Sequence, residues 1–461
     1  MDHLASLLER ERVDFVDLRA VDLTGRFRRL TVPAERFLAD AAGRGIGFDA
    51  SNYGFRDVSG SDMMLVPDLT TAYVETRAGE RVLAVIGDIV EADSRHPAAI
   101  DPRGTARRAE SHLRRLGIGD ELLVSPEFEF YVFERAVFES EPGGSGVELV
   151  PLEGCEHRRE ARIGTRAGSA YHAPMPQDRL FPLRNSVCRE LAAAGIPVRY
   201  HHHEVGAFGQ AEIELGFGSL LRMADATLIV KHIVRNAAHE AGLSATFMPK
   251  PIFGQAGNGM HLHQFLQQGG ARNLFTGPDG LSHVALCYIG GLLAHGRSLM
   301  ALTNPTTNSY RRLLPGYEAP VHLVYGAANR TAAVRVPAYA RGDDLRIELR
   351  TMDAACNPYL AFAAILMAGL DGIARELDAH RLGYGPVERD AHGGMDAQPE
   401  LLAPRCLEEA LDALAEDHDY LTAGGVFDPD GIGHWIEVKR REAEAVAQRP
   451  HPEEFVLYYD L

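Results

Sequence analysis

The chain has 461 residues, of which 46% are apolar and 24% charged, and its formal net charge at pH 7 is −17. This length and an ordinary apolar content favour a globular protein of two domains. The negative charge argues against nucleic acid or an anionic membrane as the main partner. Five scattered cysteines without a C-x-x-C pair, and no run of 18 apolar residues, predict a reduced, cytoplasmic protein without a membrane span.

The N-terminal part of the sequence reads as a small α/β unit. A short helix precedes two strand-like runs, and ERVLAVIGDIVEAD is a further strand. Asp101 can cap a helix that has Pro102 at its first position and ends at Gly117. We therefore divide the chain into domains of residues 1–102 and 103–461.

The second part mixes strands and helices. The run ELLVSPEFEFYVFE predicts a strand, and VRYHHHEVGAFGQAEIEL predicts two strands around a glycine-containing turn. Long helices are predicted over residues 219–240 and from Asn357-Pro358 onward. Residues 135–170 are rich in glycine and charge, with little periodicity, and predict a loop or flap.

Two carboxylates in SPEFEFYVF give the first indication of a site. Strand alternation places Glu127 and Glu129 on one face and Phe128 and Phe130 on the other. Carboxylates this close repel each other unless a cation or an arginine lies between them. The segment therefore predicts an acidic surface backed by an aromatic core.

Further carboxylates and imidazoles follow along the chain. Glu204 and Glu212 flank the turn in HHHEVGAFGQAEIEL, His261 and His263 alternate after a glycine-rich loop, and Glu348 lies in RIELR. Each of these residues alone reads more simply as a solvated strand residue or a core histidine. Together, many carboxylates with one or two imidazoles are typical of Mg²⁺ or Mn²⁺ rather than of structural zinc.

Arginines recur among the strand-like residues that follow position 304. They are Arg311, Arg312, Arg330, Arg335, Arg346 and Arg350. A single arginine is most often a surface ion pair. As a group, arginines suit carboxylate and phosphate oxygens, and beside metal ligands they favour phosphoryl transfer.

Several of these segments are those of a known family. The chain resembles the type I glutamine synthetases from end to end, in GFDAS, PEFEFYVF, HHHEVGAFGQAE, FMPKPIFGQAGNGMHLH, NPTTNSYRRLLPGYEAP, NRTAAVRVP and RIELR. The resemblance implies an α+β fold, with a small N-terminal β-grasp-like domain. It also implies a large catalytic domain with a curved, mainly antiparallel sheet flanked by helices.

The resemblance also implies an activity and an assembly. The activity is ATP-dependent ligation of ammonia to the γ-carboxylate of glutamate through a γ-glutamyl phosphate, with two or three Mg²⁺ or Mn²⁺ ions in each site. The assembly is a homo-oligomer, a dodecamer of two stacked hexamers with sites between subunits.

Residue roles follow from the matched motifs. Glu129, Glu204 and Glu212 resemble the ligands of a metal near glutamate, whereas Glu127, His261 and Glu348 resemble those of a metal that holds the nucleotide phosphates. The substrate-site residues implied in the same way are Arg312 and Gly257 for the glutamate α-carboxylate and amino group, Arg350 for its γ-carboxylate, Arg330 and Arg335 for phosphate, His263 on the nucleotide side, Asp49 and Tyr171 for ammonium, and Glu318 on a closing flap.

The chain departs from the family pattern at Asn52, Ala256, Phe265 and Arg199. Two of these changes fall near the amine and glutamate pockets. A γ-glutamyl-amine ligase that uses a polyamine, ethanolamine or methylamine therefore stands as an alternative. A catalytically silent regulatory homologue is a lesser alternative.

Overall fold

The computed structural model describes residues 2–55, 60–141, 143–153, 169–315, 319–388 and 401–459. The N-terminal elements are α1 (Asp2–Glu11), β1 (Phe15–Val21), β2 (Phe27–Pro33), α2 (Ala34–Arg36), α3 (Ala42–Arg44), β3 (Ile46–Asp49), β4 (Asp62–Pro67), β5 (Tyr73–Arg77) and β6 (Glu80–Glu91). The strands form one sheet in the order β2-β1-β6-β4-β3, and β5 pairs with β6. Strands β1 and β6 are parallel, whereas the other pairs are antiparallel.

The second part is built on a larger sheet. Its strands are β7 (Glu121–Glu141), β8 (Gly144–Pro151), β9 (Val198–His203), β10 (Gln210–Leu215), β11 (Gly218–Ser219), β12 (Ser244–Thr246), β13 (Met260–Gln268), β14 (Arg272–Asn273), β17 (His322–Ala327), β18 (Ala332–Val336) and β19 (Ile347–Leu349). The main order is β17-β18-β19-β13-β7-β10-β9, and only β17 and β18 among these described pairs are parallel. The short strands β15 (Thr276–Gly277) and β16 (Gly280–Leu281) pair separately.

Helices cover one face of this sheet and form the rest of the second part. They are α4 (Pro102–Leu116), α5 (Phe181–Ala193), α6 (Leu220–Glu240), α7 (His283–Ala294), α8 (Gly296–Thr303), α9 (Ser309–Arg312), α10 (Pro358–Ala374), α11 (Leu407–Glu416), α12 (Asp419–Thr422), α13 (Pro429–Ala447) and α14 (Pro452–Tyr458). No single described helix is long and apolar enough to cross a membrane; α7 and α8 reach that length only when taken together across a 74° bend. The α+β class predicted from the resemblance is confirmed.

Local sequence signals place the helix ends correctly. The Asp101 carboxylate accepts hydrogen bonds from the amides of Arg103 and Gly104 at 3.2 and 3.0 Å, and Gly117 ends α4 in the left-handed conformation with a φ of 66°. The predicted helix from Pro358 is α10, capped by Asn357. The predicted helix starts are correct because a capping side chain accepts hydrogen bonds from the first amides of a helix, which have no partner within the helix.

The prediction of a loop or flap over residues 135–170 is wrong for its first half. Strand β7 continues to Glu141 and pairs with β8 in a long antiparallel hairpin. Val137, Phe138 and Val147 are exposed along this hairpin, so strand alternation there does not mark a buried face. Residues 154–168 lie outside the described part of the chain.

The two faces of the larger sheet differ in character. Phe128 and Phe130 on β7 are fully buried and pack against Phe247, with ring centroids 6.4 and 5.3 Å apart. Helices α6 and α10 pack together behind the sheet, and α6 contacts β7. The apolar face thus anchors the sheet in the core and leaves the opposite face for polar side chains, as the alternation of SPEFEFYVF predicts.

A buried arginine joins the two parts of the chain. The Arg103 guanidinium is only 2% exposed and forms two hydrogen bonds of 2.9 Å with the Asp225 carboxylate on α6. It also pairs with Asp68 and Asp88 of the N-terminal sheet. Arg103 on α4 therefore links α6 to two carboxylates of the N-terminal part.

We expect Arg103→Leu to destabilise the protein strongly. The substitution leaves Asp225 buried without its cation, which costs about 3–5 kcal/mol in comparable sites. Arg107→Leu is the matched control, because Arg107 pairs with the same Asp88 at 2.8 Å but its side chain is 45% exposed, so its loss should cost less than about 1 kcal/mol. Chemical denaturation measures both; equal midpoint shifts would contradict the assigned role of Arg103.

Candidate active site

The polar face of the larger sheet collects the predicted carboxylates. In the antiparallel register, Glu127 lies opposite His261 on β13, and Glu129 lies opposite Glu212 on β10. Directly opposed residues of an antiparallel pair point to the same face. We call this surface, defined by Glu127, Glu129, Glu212 and Glu348, the acidic face.

The pairing of β13, β19 and β18 brings arginines next to these carboxylates. His263 lies opposite Glu348 on β19, and Glu348 lies opposite Arg335 on β18. The Glu348 carboxylate pairs with Arg335 through one oxygen and with Arg350 through the other. Burial favours the neutral form of Glu348, but the charges of Arg350, His263 and His261 outweigh it and lower its pKa to about 2.

The structure groups possible metal ligands in the middle of the acidic face. Glu127, Glu129 and His261 form one group, and Glu127, His263 and Glu348 form another, each with ligand atoms within 4.8 Å of one another. The Nδ1 of His261 lies 2.9 Å from Oε1 of Glu127. Burial raises the pKa of Glu127, yet hydrogen bonds and charge from His261 and His263 reverse this and hold it well below its usual value.

A third group lies towards the edge strand β9. It consists of His202, Glu204 and Glu212. Burial raises the pKa of Glu204 to about 7, helped by the charge of Glu129, and burial with the charges of Glu127 and Glu204 raises the pKa of Glu212 well above its usual value. These carboxylates cannot all ionise cheaply without a cation, and their oxygen-rich donor set fits a hard divalent ion.

All six predicted ligands therefore lie on or beside the acidic face, but their grouping differs from the two implied triads. Glu129 groups with Glu127 and His261, whereas Glu204 and Glu212 group with His202. His202 is a site residue to which the sequence analysis assigns no role. The signal that identifies it is its register opposite Glu212.

Arg312 is buried behind the metal-ligand groups. Its Nη1 donates to the carbonyl oxygens of Thr351 and Met352 at 2.9 and 3.3 Å, and its Nη2 donates to that of Arg350 at 3.1 Å. The same Nη2 lies 3.3 Å from Nε2 of His261. Arg312 is thus fixed beside the acidic face by the loop that follows β19.

The predicted glycine-rich loop lies against Arg312. A Cβ atom on Gly257 would lie 2.6 Å from the carbonyl oxygen of Pro249 and 2.7 Å from Cγ of Arg312. The Gly257 carbonyl accepts a hydrogen bond from Gln210 at 2.9 Å, and the Gly259 amide donates to Glu129 at 2.6 Å. Only glycine allows the loop this close approach.

Two guanidinium donors near the arginine end of the sheet are buried without a hydrogen-bond partner among the described residues. They are Nε of Arg335 and Nε of Arg346, and Nδ1 of His263 is likewise buried without a partner. Buried donors are normally paired, because an unpaired one costs about 1–3 kcal/mol. Donors of this kind beside possible metal ligands are suited to an anionic ligand.

The other predicted residues that the structure describes have exposed side chains. Asp49 is exposed, and its carboxylate accepts from the Ser51 amide at 2.9 Å and the Asn52 side chain at 3.2 Å; hydrogen bonds from Ser51, Ser61 and Asn52 lower its pKa. Tyr171 is 48% exposed, with its ring centroid 5.3 Å from that of His202. The Arg330 side chain is exposed, while its carbonyl accepts from Nε of Arg350 at 3.0 Å. Glu318 lies outside the described residues.

The departures from the family pattern have local partners. Asn52 holds Asp49, as described, and the Ala256 carbonyl accepts from the Tyr131 hydroxyl at 2.8 Å. Phe265 packs edge-on against Phe217, with ring centroids 5.2 Å apart. Arg199 forms an ion pair with Glu214, a buried carboxylate opposite Glu127 that sequence reasoning missed. Asn52, Phe265 and Arg199 thus each make a specific side-chain contact, whereas the contact at Ala256 is made by its backbone.

Comparison with known proteins matches the whole chain. Residues 12–92 match the family described as glutamine synthetase, beta-Grasp domain, and residues 99–458 match glutamine synthetase, catalytic domain. The glutamine synthetase of Frankia alni is 42% identical, over 98% of this chain and 97% of its own. That of Salmonella typhimurium is 40% identical, over 100% and 99%.

Solved structures agree with these matches. The cryo-EM structure of Plasmodium falciparum glutamine synthetase has a TM-score of 0.88 and 26% identity, covering 99% of this chain and 98% of that one. The structure of GmaS without ligand has a TM-score of 0.83 and 29% identity, covering both chains fully. The fold and the site thus define an α+β ligase.

The chain belongs to the glutamine synthetase family, as the sequence resemblance predicts. The family uses ATP and divalent metal ions, and the groups of carboxylates and imidazoles on the acidic face fit such ions. The division at residues 102 and 103 stays a prediction.

We expect Gly259→Ala to weaken metal binding. Its Cβ atom would lie 2.5 Å from Nη2 of Arg312 and 2.8 Å from Nε2 of His261, so both side chains must shift. Displaced ligands and their supports lower metal affinity by about tenfold or more. Gly433→Ala on α13 is the control, since nothing lies within 4 Å of its added Cβ atom.

Calorimetric titration with Mn²⁺ checks this expectation. Gly433→Ala should bind Mn²⁺ as the unmodified protein does. Unchanged Mn²⁺ affinity in Gly259→Ala would show that the glycine loop does not position the ligands.

Proposed function

We propose that the protein catalyses ATP-dependent ligation of ammonia to the γ-carboxylate of glutamate, through a γ-glutamyl phosphate, giving glutamine, ADP and phosphate. The named relatives at about 40% identity over the full chain support this reaction. The observation that carries the proposal is the meeting of carboxylate and imidazole groups with buried arginines on one sheet face. That combination suits the transfer of a charged phosphoryl group.

Glutamate is held by the loop around Arg312 in this proposal. The buried guanidinium of Arg312 binds the α-carboxylate, and the Gly257 carbonyl, which has a second lone pair beside its bond to Gln210, receives the amino group. Arg350 orients the γ-carboxylate, because its guanidinium is already fixed by Glu348 and the Arg330 carbonyl. Because these donors are already fixed, they align the γ-carboxylate, which is the nucleophile of the first step, without a further loss of conformational entropy.

Phosphate is stabilised from the other side. Arg335 and Arg330 neutralise the transferring group. Arg335 also offers an unpaired Nε donor to the nucleotide phosphates, and His263 lies on the nucleotide side. Two or three divalent ions, Mg²⁺ or Mn²⁺, would be held by Glu127, Glu129, Glu204, Glu212, His261 and Glu348. When bound, these ions would neutralise phosphate charge. The product of the first step is an acyl phosphate, which has a good leaving group.

The amine site is assigned to Asp49, Tyr171 and Glu318. Asp49 binds ammonium and takes its proton, Tyr171 forms a wall, and Glu318 closes over the intermediate. The described contacts of Asp49 stay within its own loop, so we propose that a neighbouring subunit supplies it to each site. Two stacked hexamers, as the resemblance implies, would provide such neighbours.

A γ-glutamyl-amine ligase is the second candidate. The half-exposed ring of Tyr171 leaves this side of the site open within one chain, so a longer amine has room to approach. A panel assay decides between the two: phosphate release with ATP, glutamate and each of ammonium, methylamine, ethanolamine and a polyamine. Turnover with ammonium supports glutamine synthesis, whereas turnover only with an organic amine would replace it. Absence of metal-dependent ATP binding would favour a silent homologue.

Asp49→Ala should abolish most amine-dependent turnover and leave ATP affinity unchanged, because Asp49 acts after phosphoryl transfer. Steady-state kinetics with ammonium and calorimetry with ATP separate the two effects. Asp62→Ala is the control, since Asp62 is an exposed carboxylate opposite Asp49 on β4. Parallel losses of ATP affinity and turnover in Asp49→Ala would contradict this role.

A further inference from the structure

His202 lies on the acidic face, whereas its neighbours His201 and His203 point to the other side of β9. It stands opposite Glu212 in the register, with its Nε2 atom 3.0 Å from Oε1 of Glu212. Its Nδ1 atom lies 3.8 Å from Oε1 of Glu204. One imidazole and two carboxylates therefore converge at the edge of the site.

The hydrogen bond on the other ring nitrogen fixes the tautomer of His202. Nδ1 lies 3.0 Å from the carbonyl oxygen of His203, which can only accept, so Nδ1 carries the proton. Nε2 then presents a lone pair to Glu212. Two acceptors facing each other at 3.0 Å repel unless a proton or a cation lies between them.

The distance itself fits a shared ion. Two ligand atoms about 2.1 Å from an octahedral ion, at right angles to each other, lie about 3.0 Å apart. A histidine that donates its Nδ1–H to a carbonyl and turns Nε2 inward is the common arrangement of metal-binding histidines.

Neighbouring groups hold the ligands in place. The His202 ring is packed edge-on against His172 and Tyr171, with centroids 4.4 and 5.3 Å away. Oε2 of Glu204 accepts from the Val205 amide at 2.7 Å, which leaves Oε1 directed at the group. His203 supports the same backbone, since its Nδ1 donates to the Glu204 carbonyl at 2.6 Å.

We propose that Nε2 of His202 ligates a divalent cation together with Glu204 and Glu212, and that this nitrogen makes the site prefer Mn²⁺ over Mg²⁺. Mn²⁺ is a softer ion than Mg²⁺ and accepts an imidazole nitrogen more readily, whereas Mg²⁺ dehydrates reluctantly and favours carboxylate and water oxygens. The assignment of Glu204 and Glu212 as metal ligands rests on the proposed function, whereas the nitrogen ligand is new. The two proposals can fail separately, because the test of the His202 ligand measures metal binding without substrates and does not depend on which reaction the protein catalyses.

The test is metal binding to the full-length, metal-free protein. His202→Asn should weaken Mn²⁺ binding at one site per chain by about tenfold or more, and Mg²⁺ binding far less. Calorimetry with Mn²⁺, and Mg²⁺ competition against it, give both affinities. His201→Asn is the matched control, because His201 is a neighbouring ring on the opposite face, bonded to Arg184 and Asn185.

Pulsed electron paramagnetic resonance adds a direct readout. In a His261→Asn/His263→Asn background, bound Mn²⁺ should still show coupling to a ring ¹⁴N nucleus, and adding His202→Asn should remove it. Persistence of the coupling, or its absence before His202 is changed, would overturn the proposal. Equal losses of Mn²⁺ and Mg²⁺ affinity would also overturn it, since they indicate that His202 only orients the carboxylates. Glu204→Gln should weaken the binding of both Mn²⁺ and Mg²⁺, whether or not His202 is a ligand.

Discussion

The crowding of carboxylates on one face of a sheet is the constraint on which the rest of the site depends. The strand register brings Glu127, Glu129 and Glu212 together on the acidic face. Their negative charges destabilise one another there. At one end, arginines resolve this repulsion, and the pKa of Glu348 falls to about 2 despite its burial. At the other end no arginine intervenes between the described groups, and burial with neighbouring charge raises the pKa of Glu204 to about 7. On one half of the acidic face, arginines thus neutralise the carboxylate charge. On the other half, the carboxylates need bound cations to ionise together.

Arg312, beside the same face, is held by a single loop. The segment after β19 offers the carbonyl oxygens of residues 350–352 to Arg312. Behind it, Asn304 donates to the Thr351 carbonyl at 2.7 Å, and the buried Lys231 donates to the Ala354 carbonyl at 2.7 Å. Lys231 on α6 and Asn304 at the end of α8 therefore help to set the position of the Arg312 guanidinium, which is the preorganisation that electrostatic catalysis requires.

Strand alternation predicted which residues share a face, and so found Glu127 with Glu129 and His261 with His263. It could not give the register between strands that are distant in sequence. The grouping of Glu212 with His202, and the burial of Glu214 opposite Glu127, come from that register alone. The hairpin of β7 and β8 was missed for another reason. Its glycines and charges resemble a loop, because an exposed hairpin needs no apolar stripe. The family resemblance supplied roles that no local pattern contains.

The central claim is that the acidic face transfers the ATP γ-phosphoryl group to the γ-carboxylate of glutamate. Glutamate labelled with ¹⁸O in that carboxylate tests it most directly, with ATP, Mg²⁺ or Mn²⁺, and ammonium. Attack of the acyl phosphate by ammonia leaves the bridging carboxylate oxygen on phosphorus, so mass spectrometry should find one ¹⁸O atom in each phosphate released. Phosphate without the label, produced at the rate of glutamine formation, would contradict the account.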